Sequence, residues 1–428
     1  MTKIDDFPID RIRAAFPALA ALDDGHPRIY FDNPAGTQVP RQVVERMTDA
    51  LLVRNANLGG AFRTSEAADA LVEEAHVAAA DFYNAASPRE IVYGQNMTTL
   101  TFHMSRCIGR RLAPGDEIVL SRMDHDANVA PWLLLAEEKG LKVRWLEFDS
   151  ETYEFPDRAI DDVLSARTRL VAICYASNLT GTINDVRRVA ARAREAGALT
   201  YVDAVQFAPH ASIDVTALGA DFVVSSAYKW FGPHQAVLWG REDVMRDLFA
   251  YKVRPAGDGL PDRFETGTLS HEGMAGCLGA IEYLADLGTN VVAGRRSDGA
   301  RSGSARARAV AAAFEHLREW EQALTRRLLD GLADVKGLVL HGIGRGNRLD
   351  WRVPTVSFTL EGRHPRDLAT AFAGRNVFVW SGHNYAVEPT RALGLLDKGG
   401  VLRVGLAHYN TPAEVDSFLE ILNDVKKP

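Results

Sequence analysis

The stretch DFVVSSAYKWFGPHQAVLWG, residues 221–240, holds two apolar runs, DFVVSSA and AVLWG, joined by residues 228–235. That connection is too short for a crossover helix and contains the turn signal Gly232-Pro233, so the pair reads as an antiparallel hairpin. Lys229 stands just past the end of its first strand, between Tyr228 and Trp230. An ordinary lysine lays its stem on such rings and sends its ammonium to solvent. A lysine that forms a Schiff base with a carbonyl cofactor instead needs a desolvated amine with a lowered pKa. The rest of the chain decides between the two.

Upstream of the hairpin, short apolar runs alternate with longer helix-period segments. EIVYG, DEIVL, VRWLEF, RLVAICYAS and LTYVDAV read as strands; AADALVEEAHVAAADFY, APWLLLAEEKG and DVRRVAARAREAG read as helices. Such alternation predicts an α/β unit with a parallel sheet and right-handed crossovers, whose ligands bind at the carboxyl ends of the strands. AGRRSDGARSGSARARAV is small, polar and basic without periodicity, and reads as a loop or linker before a helix. Beyond it EWEQALTRRLLDGLADV, TVSFTL, RDLATAFAGRN, VFVWSG, VLRVGLAHYN and TPAEVDSFLEILNDV alternate in shorter α+β units. At 428 residues the chain exceeds what one core holds. The expected division is a large domain over 21–290, a small one built from 1–20 and 308–428, and a linker over 291–307.

Hydrophobic content of 46% and charged content of 25% are ordinary for a folded chain. The 56 acidic and 49 basic residues, net −7, are dispersed and form no footprint for nucleic acid or anionic lipid, so a small-molecule partner is expected. The start, MTKIDDFPIDRIRAAFPAL, scatters acids among its apolar residues and does not read as a signal peptide, and no apolar run is long enough to span a bilayer; a cytoplasmic, membrane-free protein is expected. Cys107, Cys174 and Cys277 are far apart, without CxxC or Cys/His pairing, and read as buried, inert thiols rather than a disulfide framework or a metal site. No dinucleotide or P-loop glycine pattern follows the first strand.

The residues able to carry chemistry fall just after the predicted parallel strands. In GQNMTTLTFHMSR a strand runs into a helix, and Thr98 and Thr99 at the helix start suit a phosphate, or merely cap the helix. His125, after DEIVLSR, suits stacking on a cofactor ring and proton transfer. Asn178 in YASNLTG offers an amide to a ring hydroxyl. Asp203 ends a buried strand, where a carboxylate requires a cation such as a pyridinium nitrogen, and Gln206 follows three residues on. Convergence of Thr98, His125, Asn178, Asp203 and Lys229 on one sheet edge is what a shared ligand requires.

The ordered set TT, H-x-A-N, SN-x-x-G, D-A-x-Q and S-x-x-K resembles the fold-type I pyridoxal phosphate enzymes of the class V aminotransferase group, and most of all the cysteine desulfurases. The resemblance runs from IYFDNPAGTQVP to LRVGLAHYNTPAEVDSFL. It implies an aspartate aminotransferase-like fold with a mostly parallel seven-stranded sheet, and pyridoxal 5′-phosphate as cofactor. Lys229 would hold the cofactor as an imine, Asp203 would face its ring nitrogen, Gln206 and Asn178 its ring hydroxyl, and His125 would stack on the ring. Thr98, Ser226 and Tyr228 would hold the phosphate; Tyr228 replaces the histidine usual in desulfurases, as in kynureninase-like enzymes. Thr268 would reach the phosphate in a neighbouring subunit, which implies a homodimer with shared active sites. Arg403 would bind the carboxylate of a small amino-acid substrate.

One departure bears on the activity. In the resembling family an enzyme cysteine on a loop before the carboxylate arginine accepts sulfur; here that stretch reads WSGHNYAVEP, with Tyr385 in its place. A phenol cannot accept sulfane sulfur, though it can donate a proton. Imine formation with substrate and Cα deprotonation remain available, with His125, His383, Asn384 and Tyr385 as candidates for the substrate pocket and second proton transfer. The expected activity is desulfurase-like or C–S lyase; the alternatives are an epimerase or aminotransferase on the same scaffold, or a non-catalytic, cofactor-binding accessory protein.

Overall fold

The structure is a computed structural model that describes residues 7–291, 303–344, 346 and 348–426. Seven strands form its main sheet: β1 Ile91–Gly94, β2 Glu117–Ser121, β3 Lys142–Leu146, β4 Thr168–Cys174, β5 Leu199–Asp203, β6 Phe222–Ser226 and β7 Ala236–Gly240. Their spatial order is β1-β7-β6-β5-β4-β2-β3. Only β7 is antiparallel to its neighbours, pairing Ala236 with Ser226 on one side and with Gly94 on the other. The hairpin read from residues 221–240 is therefore the single reversal in an otherwise parallel sheet. Strands β2, β4 and β6 are Val/Ile/Leu-rich and almost wholly buried, as a sheet covered on both faces requires.

Helices pack on both sides. α1 Arg41–Leu52, α2 Arg63–Tyr83 and α6 His271–Asp286 cover one face with α7 Ala305–Ala333; α3 Met97–Gly109 and α4 Ala130–Lys139 belong to the other, and α5 Val186–Glu195 precedes β5. In α5 the buried residues Val186, Val189, Ala190 and Ala193 recur at helical spacing while the arginines lie opposite. α3 starts in a capping box, Asn96 accepting from the Thr99 N–H and the Asn96 N–H reaching the Thr99 hydroxyl.

A second sheet contains β8 Leu338–His341, β9 Thr355–Leu360, β10 Trp380–Gly382 and β11 Val401–Gly405 in the order β8-β9-β11-β10, all antiparallel. Helix α8 Pro365–Ala373 packs on it, and α9 Pro412–Val425 packs against α7 and α8. VFVWSG is not one strand: Val377–Phe378 pairs in parallel with Ile29–Tyr30, and Trp380–Gly382 with β11. The chain start docks here too, Arg13 donating to the Tyr409 carbonyl at 2.7 Å and to Glu414 at 2.9 Å.

Of the expected linker 291–307, residues 292–302 lie outside the described residues. Its end is helical rather than loop: α7 begins at Ala305, capped by Ser304, because Ala307 and Val310 already point into the core. The basic residues among the small ones hid that buried face.

Candidate active site

The carboxyl ends of the parallel strands open into a cavity of about 820 Å³. Among its walls are Thr98, His125, Asn178, Asp203, Gln206, Ser226, Tyr228 and Lys229 from the main-sheet unit, and Asn384, Tyr385 and Arg403 from the second.

Lys229 sits in a helical turn directly after β6 and is 9% exposed. Its ammonium donates to two carbonyls of an N-terminal turn, Pro34 O at 2.5 Å and Ala35 O at 2.7 Å, and lies 4.7 Å from the centre of the Tyr228 ring. No carboxylate hydrogen-bonds it among the described residues. Burial first, and then the Arg403 charge, pull its pKa down to about 7, against the opposing pull of Asp32 and Asp203. An amine that is substantially neutral near neutral pH is a nucleophile.

Asp203 ends β5 and is 4% exposed. Its carboxylate accepts one hydrogen bond, from the Val205 N–H at 2.9 Å. Burial pushes its pKa up to about 7, with the nearby Asp124 adding to the rise. Asp124 is itself held by Asn128 at 2.6 Å and by the Cys174 N–H at 2.9 Å, and burial takes it to about 6. Two buried carboxyls and no matching cation bonded to Asp203 describe a site that a cationic ring nitrogen would complete.

His125 accepts from the Ala127 N–H at 3.0 Å through Nδ1, leaving Nε2 to carry the proton. Burial and the Lys229 and Arg403 charges lower its pKa to about 3, so the ring is neutral. The Tyr385 ring stacks on it at 5.6 Å and 18°.

Arg403, on β11 and 4% exposed, donates to the Asn178 carbonyl at 3.1 Å and lies 3.6 Å from Asp32. Its Nε, with Asn178 Oδ1 and Asn384 Oδ1, is buried without a hydrogen-bonding partner among the described residues. Three orphaned polar atoms at one cavity, beside a buried amine and a buried carboxylate, fit a polar ligand rather than an apolar void.

At the phosphate end, Ser226 accepts from the Met97 N–H at 3.1 Å, and Thr98 lies in the first turn of α3. Tyr228 stacks on His234 at 4.9 Å. Gln206 donates to Pro34 O at 2.8 Å, sharing that carbonyl with Lys229.

The structure does not bring every expected residue to this cavity. Thr99 is exposed and outside its walls, because the α3 capping box uses its hydroxyl and N–H. His383 is exposed and accepts from the Tyr385 N–H at 3.0 Å, so it shapes the loop instead of lining the cavity. Thr268 is exposed and outside the walls of this chain's own cavity. Sequence reasoning missed the Pro34–Ala35 turn, Asp32, Asp124, His234 and Trp380. For the turn, the signal was available in DNPAG, a Pro/Gly turn after an apolar pair; for Asp124, it was a second carboxylate beside His125.

Sheet, cavity, buried amine and buried carboxylate fit an enzyme of the pyridoxal phosphate-dependent α/β class. The family model described as aminotransferase class-V matches residues 29–301 and 302–418, and the chain belongs to the class-V aminotransferase family, where it is cysteine desulfurase-like. It is 32% identical over 425 residues to a probable cysteine desulfurase of Synechocystis, covering 96% of this chain and 94% of that protein. It is 31% identical over 428 residues to the aminotransferase-like protein FGM3 of Gibberella zeae, covering 98% of both. Among solved structures, the apo cysteine desulfurase of Thermococcus onnurineus superposes with a TM-score of 0.85 at 28% identity, over 98% of each chain.

Proposed function

We propose that this chain is a pyridoxal 5′-phosphate-dependent C–S lyase of the cysteine desulfurase-like kind, acting on a small sulfur-containing amino acid. The observation that carries the reading is Lys229: a buried amine with a pKa near 7, hydrogen-bonded only to backbone carbonyls, at the strand edge where Asp203 ends. The relatives named above support the substrate class.

Bound in this cavity, pyridoxal phosphate supplies an electron sink for the pair released when a bond at the substrate's Cα breaks. The chain's own residues do the rest. Lys229 would hold the cofactor, and its amine, when free, would take the Cα proton. Asp203 would face the ring nitrogen and keep a proton on it. Gln206 and Asn178 would orient the ring hydroxyl, His125 would stack on the ring, and Thr98, Ser226 and Tyr228 would hold the phosphate. Arg403 binds the substrate carboxylate through its planar fork, and Asn384 and Tyr385 border the substrate.

Thr268, exposed here, reaches the second active site of a homodimer in this reading. In this reading a large unit over 21–290 and a small one over 1–20 and 308–428 both contribute to the site. No helix among the described residues is long and apolar enough to cross a membrane, and the reading takes the enzyme as cytoplasmic, without nucleic-acid partners.

The test is to load the chain with pyridoxal phosphate and offer L- and D-amino acids, identifying products by mass spectrometry. A sulfur amino acid that loses its sulfur supports the reading. Cα-proton exchange alone points to an epimerase, and amino transfer to a 2-oxo acid points to an aminotransferase. Cofactor absorbance that no amino acid perturbs points to an accessory protein.

A further inference from the structure

The chain has three cysteines, and none presents a thiol to the cavity in reactive form. Cys107 and Cys277 are wholly buried in the apolar core. Cys174 lies in the cavity wall, but it is 2% exposed and its thiol donates to the Met123 carbonyl at 3.5 Å. Burial and the charges of Asp124 and Asp203 hold that thiol protonated. The loop at the cavity mouth, residues 380–389, contains no cysteine.

That loop presents Tyr385 instead, in a conformation the protein enforces. Asn384 at φ 53° and Tyr385 at φ 56° are consecutive non-glycine residues in the left-handed region, a costly arrangement that persists only where surroundings over-determine it. Three bonds do so: the Asp126 N–H to the Tyr385 carbonyl at 2.8 Å, the Tyr385 N–H to His383 at 3.0 Å, and the Asn178 amide to the Asn384 carbonyl at 2.8 Å. The ring rests on His125 and lines the same cavity as Lys229, and its hydroxyl has no hydrogen-bond partner among the described residues. His125 is a poor proton donor in its neutral form. A phenol is matched to the task, since phenols and alkyl thiols are acids of similar strength.

We propose, resting on the C–S lyase reading above, that this enzyme expels sulfur to solvent by elimination, with Tyr385 protonating the departing sulfur, and never carries it on a cysteine of its own. The substrate class is cysteine and its S-substituted thioethers. The Cα–H bond breaks and its proton passes to Lys229 Nζ. The Cβ–S bond breaks with its electron pair going to sulfur, which takes the phenolic proton and leaves as a thiol; the phenol regains a proton from solvent. Water hydrolyses the three-carbon remainder. In sum, R–S–CH2–CH(NH3+)–COO− and H2O give RSH, CH3–CO–COO− and NH4+, with no net oxidation or reduction.

The test compares the holoenzyme with its Tyr385→Phe variant on two thioethers. S-methyl-L-cysteine expels a basic thiolate that needs the proton; S-(4-nitrophenyl)-L-cysteine expels a stabilised thiolate that does not. The expected kcat loss is about 100-fold on the first and less than about threefold on the second; an equal loss on both overturns the role of Tyr385. In parallel, the wild-type holoenzyme turning over L-cysteine is trapped by alkylation and weighed intact. Pyruvate with no persulfide on any cysteine is expected. Alanine as product, or a persulfide on Cys174, overturns the release while leaving the C–S lyase reading standing. A holoenzyme that cleaves none of these compounds overturns both.

Discussion

The ammonium of Lys229 donates to the carbonyl of Pro34 at 2.5 Å, joining residues 195 positions apart. The same carbonyl accepts from Gln206, and the same turn is fixed from below by Asn33, which donates to the Gly405 carbonyl at 2.8 Å. An N-terminal turn thus parks the reactive amine, and it rests on the strand that carries Arg403.

That support makes Gly405 a sensitive position. A Cβ there would lie 2.1 Å from Pro34 Cγ and Cδ, so Gly405→Ala must shift the turn. We expect a destabilisation of about 1–3 kcal/mol from overpacking, read by thermal denaturation, together with weaker uptake of pyridoxal phosphate.

Cofactor capture follows the titration of Lys229. Only the neutral amine attacks an aldehyde, and burial lowers the pKa to about 7 from an ordinary 10.5. The rate of pyridoxal phosphate uptake by the cofactor-free chain therefore rises with pH through about 7 and levels off above it. A rate still climbing tenfold per unit from pH 8 to pH 10, the range where an unperturbed lysine titrates, contradicts the environment described for the amine.

Asp203→Asn removes the negative charge from the strand end. A loss in turnover on the order of 10²- to 10³-fold is expected, about 3–4 kcal/mol at about 1.4 kcal/mol per tenfold. Cofactor absorbance should persist with a shifted band, because Lys229 remains. Steady-state kinetics and the spectrum check the two halves separately.

Arg403→Lys keeps the charge but not the planar fork. Substrate KM should rise about tenfold or more while cofactor loading is unchanged. A fall in kcat alone would place Arg403 outside substrate binding.

Much of this molecule is legible before folding. All seven strands of the main sheet are visible as short runs, the buried inner ones because they need continuous apolar residues and the edge strand Lys142–Leu146 as an alternation of Lys142 and Arg144 with Val143 and Trp145, and the one reversal is visible as a connection too short for a helix. Thr98, His125, Asn178, Asp203 and Lys229 are placed by their position just after those strands. What escapes is what depends on long-range packing. α6 is hidden because the Gly and Ala of GMAGCLGA serve close approach to α1, with Gly279 seated against Gln42 and Val43, rather than a plain amphipathic stripe. The Pro34–Ala35 turn acts through backbone carbonyls, which no side-chain pattern reveals. Thr99 fails for the opposite reason: its local role as a cap uses the hydroxyl that a phosphate would need.

The central claim is a covalent bond between Lys229 and pyridoxal phosphate. Incubating the chain with the cofactor, reducing with borohydride and mapping peptides by mass spectrometry tests it directly. The account predicts one phosphopyridoxyl adduct, on the peptide carrying Lys229, lost in Lys229→Ala while circular dichroism shows the fold retained. An adduct on another lysine, or none at saturating cofactor, would contradict it.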